Sequence, residues 1–183
     1  MPRIFHGWWI VAVGNIMRTV SATFNYYGFS AFFNPLVDQF GWSRAALAGV
    51  LSLSRLEGGA MAIPAGFMFD RIGPRKMMFV GVLFTGGGYM LLSRTNSLLY
   101  FYLVFIFVVQ VGASFGMGGG AVDVAIANWF RRKRGRAMGF ATMGFSFGGI
   151  LVTPLAFFIT QYSWRSALML AGVSTIALGI PLS

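Results

Sequence analysis

The chain has 183 residues, of which 57% are hydrophobic and 10% are charged, and its formal net charge is +10. A soluble domain carries about 25% charged residues, so most of this chain is too apolar to face water. It contains no Cys and a single His, His6, which excludes disulfides, thiolate chemistry, a histidine metal cluster and a histidine-based catalytic triad.

Six apolar segments are candidate membrane-spanning helices, since a helix needs about 20 mostly apolar residues to cross a hydrocarbon core of about 30 Å. They cover residues 8–33, 45–69, 77–93, 98–129, 135–160 and 164–182. Short polar connectors separate them, and the first connector is expected at residues 34–44, NPLVDQFGWSR. The sequence therefore predicts an all-α membrane protein built as a bundle of six transmembrane helices.

The basic residues are distributed unevenly over these connectors. If the N-terminus is cytoplasmic, the inner side holds Arg3, Arg71, Arg75, Lys76, Arg131, Arg132, Lys133, Arg134 and Arg136, and the outer side holds Arg44, Arg94 and Arg165. Cytoplasmic loops of membrane proteins carry such an excess of Lys and Arg. The pattern predicts a cell-membrane protein with both ends in the cytoplasm, and it accounts for the RRKRGR cluster without nucleic acid.

Three charged residues fall near the middle of the first two segments: Arg18, Arg55 and Glu57. By helical rise, Arg55 lies roughly 22 Å from Asp70 at the inner end and about 16 Å from the outer end of its segment. Each such charge costs about 2.5–3.5 kcal/mol to insert at a helix centre. Residues of this kind usually face a bundle interior or a wet cavity, and they mark a pathway.

Two interpretations of these charges remain open. Arg55 and Glu57 point about 200° apart on one helix and cannot pair with each other. Glu57 can pair with Arg18 as a structural contact between helices. Alternatively, the surplus of two arginines over one glutamate binds an anion, since a guanidinium holds a carboxylate with two hydrogen bonds. Glu57 is then a candidate proton carrier, because burial favours the neutral form of a carboxyl group.

A polar stripe on the first segment supports a wet cavity. Its members recur at spacings of three and four, which place them on one helical face: Asn15, Arg18, Ala22 and Asn25. Such a stripe is costly against lipid and should face inward. Tyr26 and Tyr27 follow with hydroxyl donors, and Gln110 is either a further site residue or an interhelical hydrogen bond.

The stretch GFMFDRIGPRK, residues 66–76, predicts a tight turn between the second and third helices. Gly73 and Pro74 suit a reversal within a few residues, because no regular helix continues through Pro74.

Basic residues around this turn can contact lipid phosphates or an acid on another helix. Arg71, Arg75 and Lys76 are the basic residues, and Asp123, near the inner end of the fourth segment, is such an acid. A latch of this type can hold one conformation and open in another.

Residues 128–149, NWFRRKRGRAMGFATMGFSFGG, predict a closely packed fifth helix. Glycines recur in two small-xxx-small pairs, at positions 135, 139, 144 and 148. Small residues at this spacing let membrane helices approach closely.

Three stretches carry a family resemblance. GFMFDRIGPRK resembles the loop between the second and third helices of the major facilitator superfamily. WFRRKRGRAMGFATMGFSFGG is similar to the entry to the fifth helix in its monocarboxylate transporter and oxalate/formate antiporter branch. GWWIV followed by YYGFSAFFNPL is similar to the first helix of that branch.

This resemblance implies a fold of twelve helices in two six-helix halves with 3+3 inverted repeats, of which this chain would be the N-terminal half. Substrate would bind at mid-membrane, between this half and the missing C-terminal half or a second copy. The branch mostly moves small carboxylates by proton symport or anion exchange. The loop with Asp70 and Arg71 would serve as the inner gate, which Asp123 contacts.

We therefore expect a secondary active transporter of a small organic anion, a mono- or dicarboxylate, with no cofactor, no metal and no enzymatic activity. The expected substrate residues are Asn15, Arg18, Asn25, Tyr26, Tyr27, Arg55, Glu57 and Gln110. The expected gating residues are Asp70, Arg71, Gly73, Arg75 and Asp123. The alternatives are a transporter of a neutral or cationic solute and a six-helix scaffold that does not transport.

Overall fold

The computed structural model describes residues 7–117, 120–130 and 133–182. Four residues used in the sequence argument lie outside these ranges: Arg3, His6, Arg131 and Arg132. The described chain forms seven helices. Helix α1 covers residues 7–40 in three consecutive segments, Gly7–Ser21, the π-helical Ala22–Tyr27, and Gly28–Phe40. The others are α2 Arg44–Ile72, α3 Pro74–Leu92, α4 Leu98–Gly116, α5 Gly120–Trp129, α6 Arg134–Gln161 and α7 Trp164–Leu182.

Four of these helices, α2, α4, α6 and α7, are long and apolar enough to cross a membrane. Large apolar side chains cover their outer surfaces, such as Ile63 and Phe67 on α2 and Ile150 and Phe157 on α6, each exposed by more than half. Helices α1 and α3 are also long, but they are not among these four. Helix α1 changes helix type after Ser21, and the first turn of α3 carries two cations. Six spans therefore remain a prediction.

The predicted connector at residues 34–44 is wrong, because α1 continues through Pro35 to Phe40. Phe29, Phe32 and Leu36 recur at helical spacing and are all buried, so the packing of this apolar stripe outweighs the one hydrogen bond that Pro35 removes. The helix ends at Gly41, whose φ of 65° is the left-handed conformation of a helix C-cap.

The turn predicted at Gly73 and Pro74 is confirmed. Gly73 is the one residue between α2 and α3, with φ 87° and ψ 151°. Pro74 opens α3, where its fixed φ suits the first helical position. At the other end of α2, the Ser43 hydroxyl accepts a hydrogen bond from the Ala46 N–H at 3.1 Å.

Helix α1 packs most extensively against α6, and α3 packs extensively against both α4 and α7. A Cβ added to Gly144 of α6 would lie 2.4 Å from the Asn15 carbonyl oxygen, and one added to Gly148 would lie 2.5 Å from the Ala22 Cβ. The second pair of glycines in the predicted motif lies at a closely packed contact. The first pair, Gly135 and Gly139, has open space around it.

Two separate apolar clusters fill the described interior. One contains Phe29 of α1, Val50 of α2 and Val109 of α4. The other contains Met17 of α1, Ala65 of α2 and Val122 of α5. Between these clusters lie residues 18–28 of α1 and 51–64 of α2, which hold most of the polar side chains singled out from the sequence.

Candidate functional site

A cavity of about 750 Å³ opens between these two clusters. Clefts of about 300–1,000 Å³ are typical of small-molecule sites. Its lining residues come from α1, α2, α4, α5 and α6. They are Ser21, Asn25, Tyr26, Leu51, Ser54, Arg55, Gly58, Met61, Ala62, Ala65, Gly66, Phe69, Gln110, Ala113, Ser114, Gly120, Val124 and Phe145. We call this space the main cavity.

Four of the eight expected substrate residues line the main cavity: Asn25, Tyr26, Arg55 and Gln110. The Asn25 amide Nδ2 donates to Gln110 Oε1 at 3.1 Å, so these two residues join α1 to α4 in the cavity wall. Asn25 lies in the π-helical segment of α1 and Gln110 in a π-helical segment of α4, Phe105–Gln110. π-Helical turns are frequent at functional sites.

Arg55 is the charged side chain among the described residues that line the main cavity. Its side chain is exposed. An exposed guanidinium in a space with low-dielectric walls attracts anions and presents a planar fork that matches a carboxylate. The Tyr26 hydroxyl and the Asn25 and Gln110 amides supply neutral donors nearby.

Arg18 forms an ion pair with Asp123, an acid that the sequence analysis assigned to the gate. Its guanidinium Nη2 lies 2.5 Å from Asp123 Oδ1, while Arg18 is only 3% exposed and the Asp123 side chain is 45% exposed. Of the two interpretations that the sequence leaves open, the pairing of Glu57 with Arg18 is therefore wrong. Helix packing brings α1 against α5, so Asp123 reaches Arg18. The positive surplus inside the bundle consequently rests on Arg55 alone among the three central charges.

Glu57 lies apart from the main cavity. Both of its carboxyl oxygens are buried, and neither has a hydrogen-bond partner among the described residues. Arg55 and Glu57 point about 200° apart around the axis of α2. The Arg55 side chain therefore faces the main cavity, and the Glu57 side chain does not. A buried carboxyl without a partner is costly when charged.

Asn15 and Tyr27 make structural contacts rather than line the cavity. Asn15 Nδ2 donates to the Phe140 carbonyl at 2.8 Å and so ties α1 to α6. The Tyr27 ring lies edge-on to Tyr26, with 5.2 Å between ring centroids, and it borders Gly149. The polar stripe on α1 therefore serves two surfaces, one toward α6 and one toward the cavity.

Four of the five expected gating residues lie at the turn between α2 and α3. Asp70, Arg71 and Arg75 are exposed around the Gly73 turn. The ion pair that the structure gives Asp123 is the one with Arg18.

Sequence reasoning missed three cavity hydroxyls: Ser21, Ser54 and Ser114. Ser21 precedes Asn25 by one helical turn, so the spacing of the polar stripe on α1 would have predicted its position in the cavity wall. No comparable pattern marks Ser54 and Ser114, because serine is common in apolar helices, where its hydroxyl bonds to its own backbone. Ser54 does this here, with its hydroxyl 2.9 Å from the Leu51 carbonyl.

Comparison with known proteins gives consistent matches. The sequence pattern of the Major Facilitator Superfamily matches residues 18–183. The chain is 25% identical to monocarboxylate transporter 14 of Homo sapiens, over 97% of this chain and 35% of that protein. It is 27% identical to the oxalate:formate antiporter of Oxalobacter formigenes, over 70% of this chain and 30% of the antiporter. It is 32% identical to the riboflavin transporter RibJ of Trypanosoma brucei brucei, over 62% of this chain and 21% of RibJ. The chain thus spans about a third or less of the length of these relatives.

Proposed function

The chain belongs to the Major Facilitator Superfamily, a family of multi-pass membrane transporters, and we propose that it forms part of a secondary active transporter of a small organic anion. The anion is a mono- or dicarboxylate, and it crosses the membrane by alternating access, as a proton symporter or an anion exchanger. Two relatives named for monocarboxylate and oxalate:formate transport support this class of substrate.

The observation that carries the proposal is the position of Arg55. Its exposed guanidinium lines the main cavity, while the other central arginine is already paired with Asp123. A carboxylate that enters the cavity therefore meets a guanidinium with no ion-pair partner among the described residues, and it forms two charge-assisted hydrogen bonds with it. Asn25, Tyr26 and Gln110 border the same space and position the rest of the substrate.

The coupling and gating roles follow from the same arrangement. Glu57 carries the coupled proton, since its buried carboxyl has no hydrogen-bond partner among the described residues and is least costly when neutral. The turn at Gly73, with Asp70, Arg71 and Arg75, closes the inner end in one conformation, and Asp123 takes part through an exchange of arginine partners.

The chain acts as an N-terminal six-helix half with 3+3 inverted repeats, and both of its ends face the cytoplasm of the cell membrane. A C-terminal half or a second copy completes the cavity. The length of the relatives supports this arrangement, since each is about three times or more as long as the matched segment. Exposed apolar residues on α2, including Leu56 and Ile63, suit lipid or such a partner.

A second candidate is transport of a neutral solute, which the similarity to a riboflavin transporter favours. In that case the substrate bonds to the amides and hydroxyls of the main cavity, and Arg55 is not needed for its recognition.

Uptake into proteoliposomes separates these candidates. Labelled lactate, oxalate and riboflavin are offered to the complete transporter, in which this chain is joined by its C-terminal half or second copy, and to its Arg55→Gln and Arg55→Lys variants. Charged hydrogen bonds contribute about 1.5–3 kcal/mol, so Arg55→Gln is expected to lower carboxylate uptake about 10–100-fold. Arg55→Lys keeps the positive charge but loses the planar guanidinium that binds a carboxylate with two hydrogen bonds. Its carboxylate uptake should therefore lie between those of the native protein and Arg55→Gln.

The matched control is Arg94→Gln, which removes an exposed charge from the loop between α3 and α4. It should leave uptake unchanged. Uptake of riboflavin without carboxylates would support the second candidate, and carboxylate uptake that survives Arg55→Gln would overturn the role of Arg55.

A further inference from the structure

A smaller cavity adjoins the main cavity between α1 and α2. Its volume is about 240 Å³, and its lining residues are Tyr26, Phe29, Ser30, Phe33, Asn34 and Leu51. We call it the side chamber. Tyr26 and Leu51 line both spaces, so the side chamber and the main cavity meet at these two side chains.

The side chamber is aromatic, and the part of its wall that the structure describes carries no charge. Phe29 and Phe33 lie edge to face with 6.4 Å between their ring centroids. The Ser30 hydroxyl donates to the Tyr27 carbonyl at 2.6 Å, which leaves the Asn34 amide and the Tyr26 hydroxyl as the polar groups of the wall. A carboxylate placed here would lose its hydration without gaining a cation.

We propose that the side chamber receives the aromatic ring of a monocarboxylate whose carboxylate is held by Arg55. The substrate class is then the arylalkanoates, in which a short aliphatic link joins a ring to a carboxyl group. This inference rests on the proposed function and narrows it, since it disfavours dicarboxylates.

The spacing along α2 fits such a molecule. Leu51 precedes Arg55 by one helical turn on the same face of α2, a rise of about 5.4–6 Å. A ring two or three bonds from a carboxyl carbon spans this distance. With its carboxylate at Arg55, the molecule therefore places its ring at the junction that Leu51 and Tyr26 form.

The size and walls of the side chamber also fit one ring. The side chamber is an open recess of about 240 Å³, and an enclosed apolar cavity of about 150 Å³ already holds benzene. Tyr26, Phe29 and Phe33 offer ring edges and faces, and aromatic pairs in such geometries are worth about 0.5–1.5 kcal/mol beyond the buried area.

The test compares uptake of labelled 3-phenylpropanoate, acetate and succinate into proteoliposomes. We expect 3-phenylpropanoate to be taken up with a KM about tenfold lower than that of acetate, and succinate to be a poor substrate. Phe33→Trp and Ser30→Leu fill the side chamber from its α1 wall, at residues that do not line the main cavity. Each should reduce the preference for 3-phenylpropanoate over acetate about tenfold while acetate uptake persists.

Persistent acetate uptake shows that each variant is folded and active. Phe157→Trp is the matched control, because Phe157 is an exposed aromatic residue on α6 that lines neither space. Acetate and 3-phenylpropanoate taken up equally by the native protein, a preference for succinate, or a preference that survives both filling substitutions would overturn the inference alone. Uptake of no carboxylate would overturn the proposed function together with it.

Discussion

The Arg18 guanidinium lies 2.5 Å from the Asp123 carboxylate, an ion pair that joins α1 to α5 across 105 residues of sequence. Arg18 follows Met17, which belongs to one apolar cluster, and it precedes Ser21 in the cavity wall by one turn. The pair therefore sits at the boundary between the packed interior and the main cavity. It leaves Arg55 as the guanidinium that a substrate anion can engage.

Asp123→Asn is expected to destabilise the protein, because Arg18 would keep a buried charge without its counter-ion. Loss of one partner of a buried ion pair typically costs about 3–5 kcal/mol, and the partial exposure of Asp123 places the expected cost at about 3 kcal/mol. Thermal unfolding in detergent measures it. Asp38→Asn, at an exposed carboxylate on α1, is the matched control and should change stability by less than about 0.5 kcal/mol.

The double variant Arg18→Met with Asp123→Leu should recover most of the lost stability, since replacing a buried ion pair by apolar residues is often neutral or stabilising. A double variant as unstable as Asp123→Asn would mean that the destabilisation arises from lost packing and not from the unpaired charge.

Gly144→Ala should destabilise the contact between α1 and α6, whereas Gly139→Ala on the same helix should not. The added Cβ at 144 would lie 2.4 Å from the Asn15 oxygen, and the one at 139 meets open space. Overpacking costs about 1–3 kcal/mol, while an alanine in place of an exposed helical glycine gains up to about 1 kcal/mol. Melting temperatures of the two variants should therefore shift in opposite directions; equal shifts would contradict the packing.

Gly73→Ala should cost more than Gly41→Ala, although neither added Cβ has a neighbour within 4 Å. Gly73 has φ 87° and ψ 151°, a region almost restricted to glycine that costs other residues about 1–3 kcal/mol. Gly41 has φ 65° and ψ 19°, a left-handed conformation that costs roughly 1–2 kcal/mol. Chemical denaturation of both variants checks the order, and the reverse order would argue against the one-residue turn between α2 and α3.

Glu57→Gln is expected to retain stability and to abolish the pH dependence of uptake. The Glu57 carboxyl oxygens have no hydrogen-bond partner in the described part of the chain, so a neutral side chain of the same shape loses no contact. A proton symporter that uses this carboxyl transports faster as the pH on the uptake side falls, and the glutamine removes the titrating group. Uptake at several pH values measures the effect.

Asp38→Asn again serves as the control for Glu57, since it removes an exposed carboxylate and should preserve the pH profile. An unchanged profile in Glu57→Gln would exclude Glu57 as the proton carrier and would favour anion exchange.

Four of the eight residues that the sequence assigns to a substrate site line the main cavity, and the other four do not. The sequence predicts Arg55 in a cavity because a charge near the centre of an apolar helix is too costly against lipid. It predicts Asn25 and Tyr26 there from the polar stripe on α1 and its continuation, and it leaves Gln110 open as a site residue or an interhelical hydrogen bond. All four line the main cavity. The extent of α1 was misjudged, since Asn34 and Pro35 suggested a connector while buried Phe32 and Leu36 carry the helix to Phe40.

By itself, the sequence determined the apolar helical character of the chain, the turn at Gly73 and the position of Arg55 near the middle of an apolar helix. These depend on composition, on the 3.6-residue period and on glycine and proline chemistry, which act over a few neighbouring residues. Only the tertiary structure decided that Arg18 meets Asp123, that Asn25 meets Gln110 from 85 positions away, and that Glu57 lies outside the cavity. Contacts between helices depend on the order, rotation and axial offset of whole helices. The π-helical turns at Ala22–Tyr27 and Phe105–Gln110 change that rotation without any sign in the hydrophobic pattern.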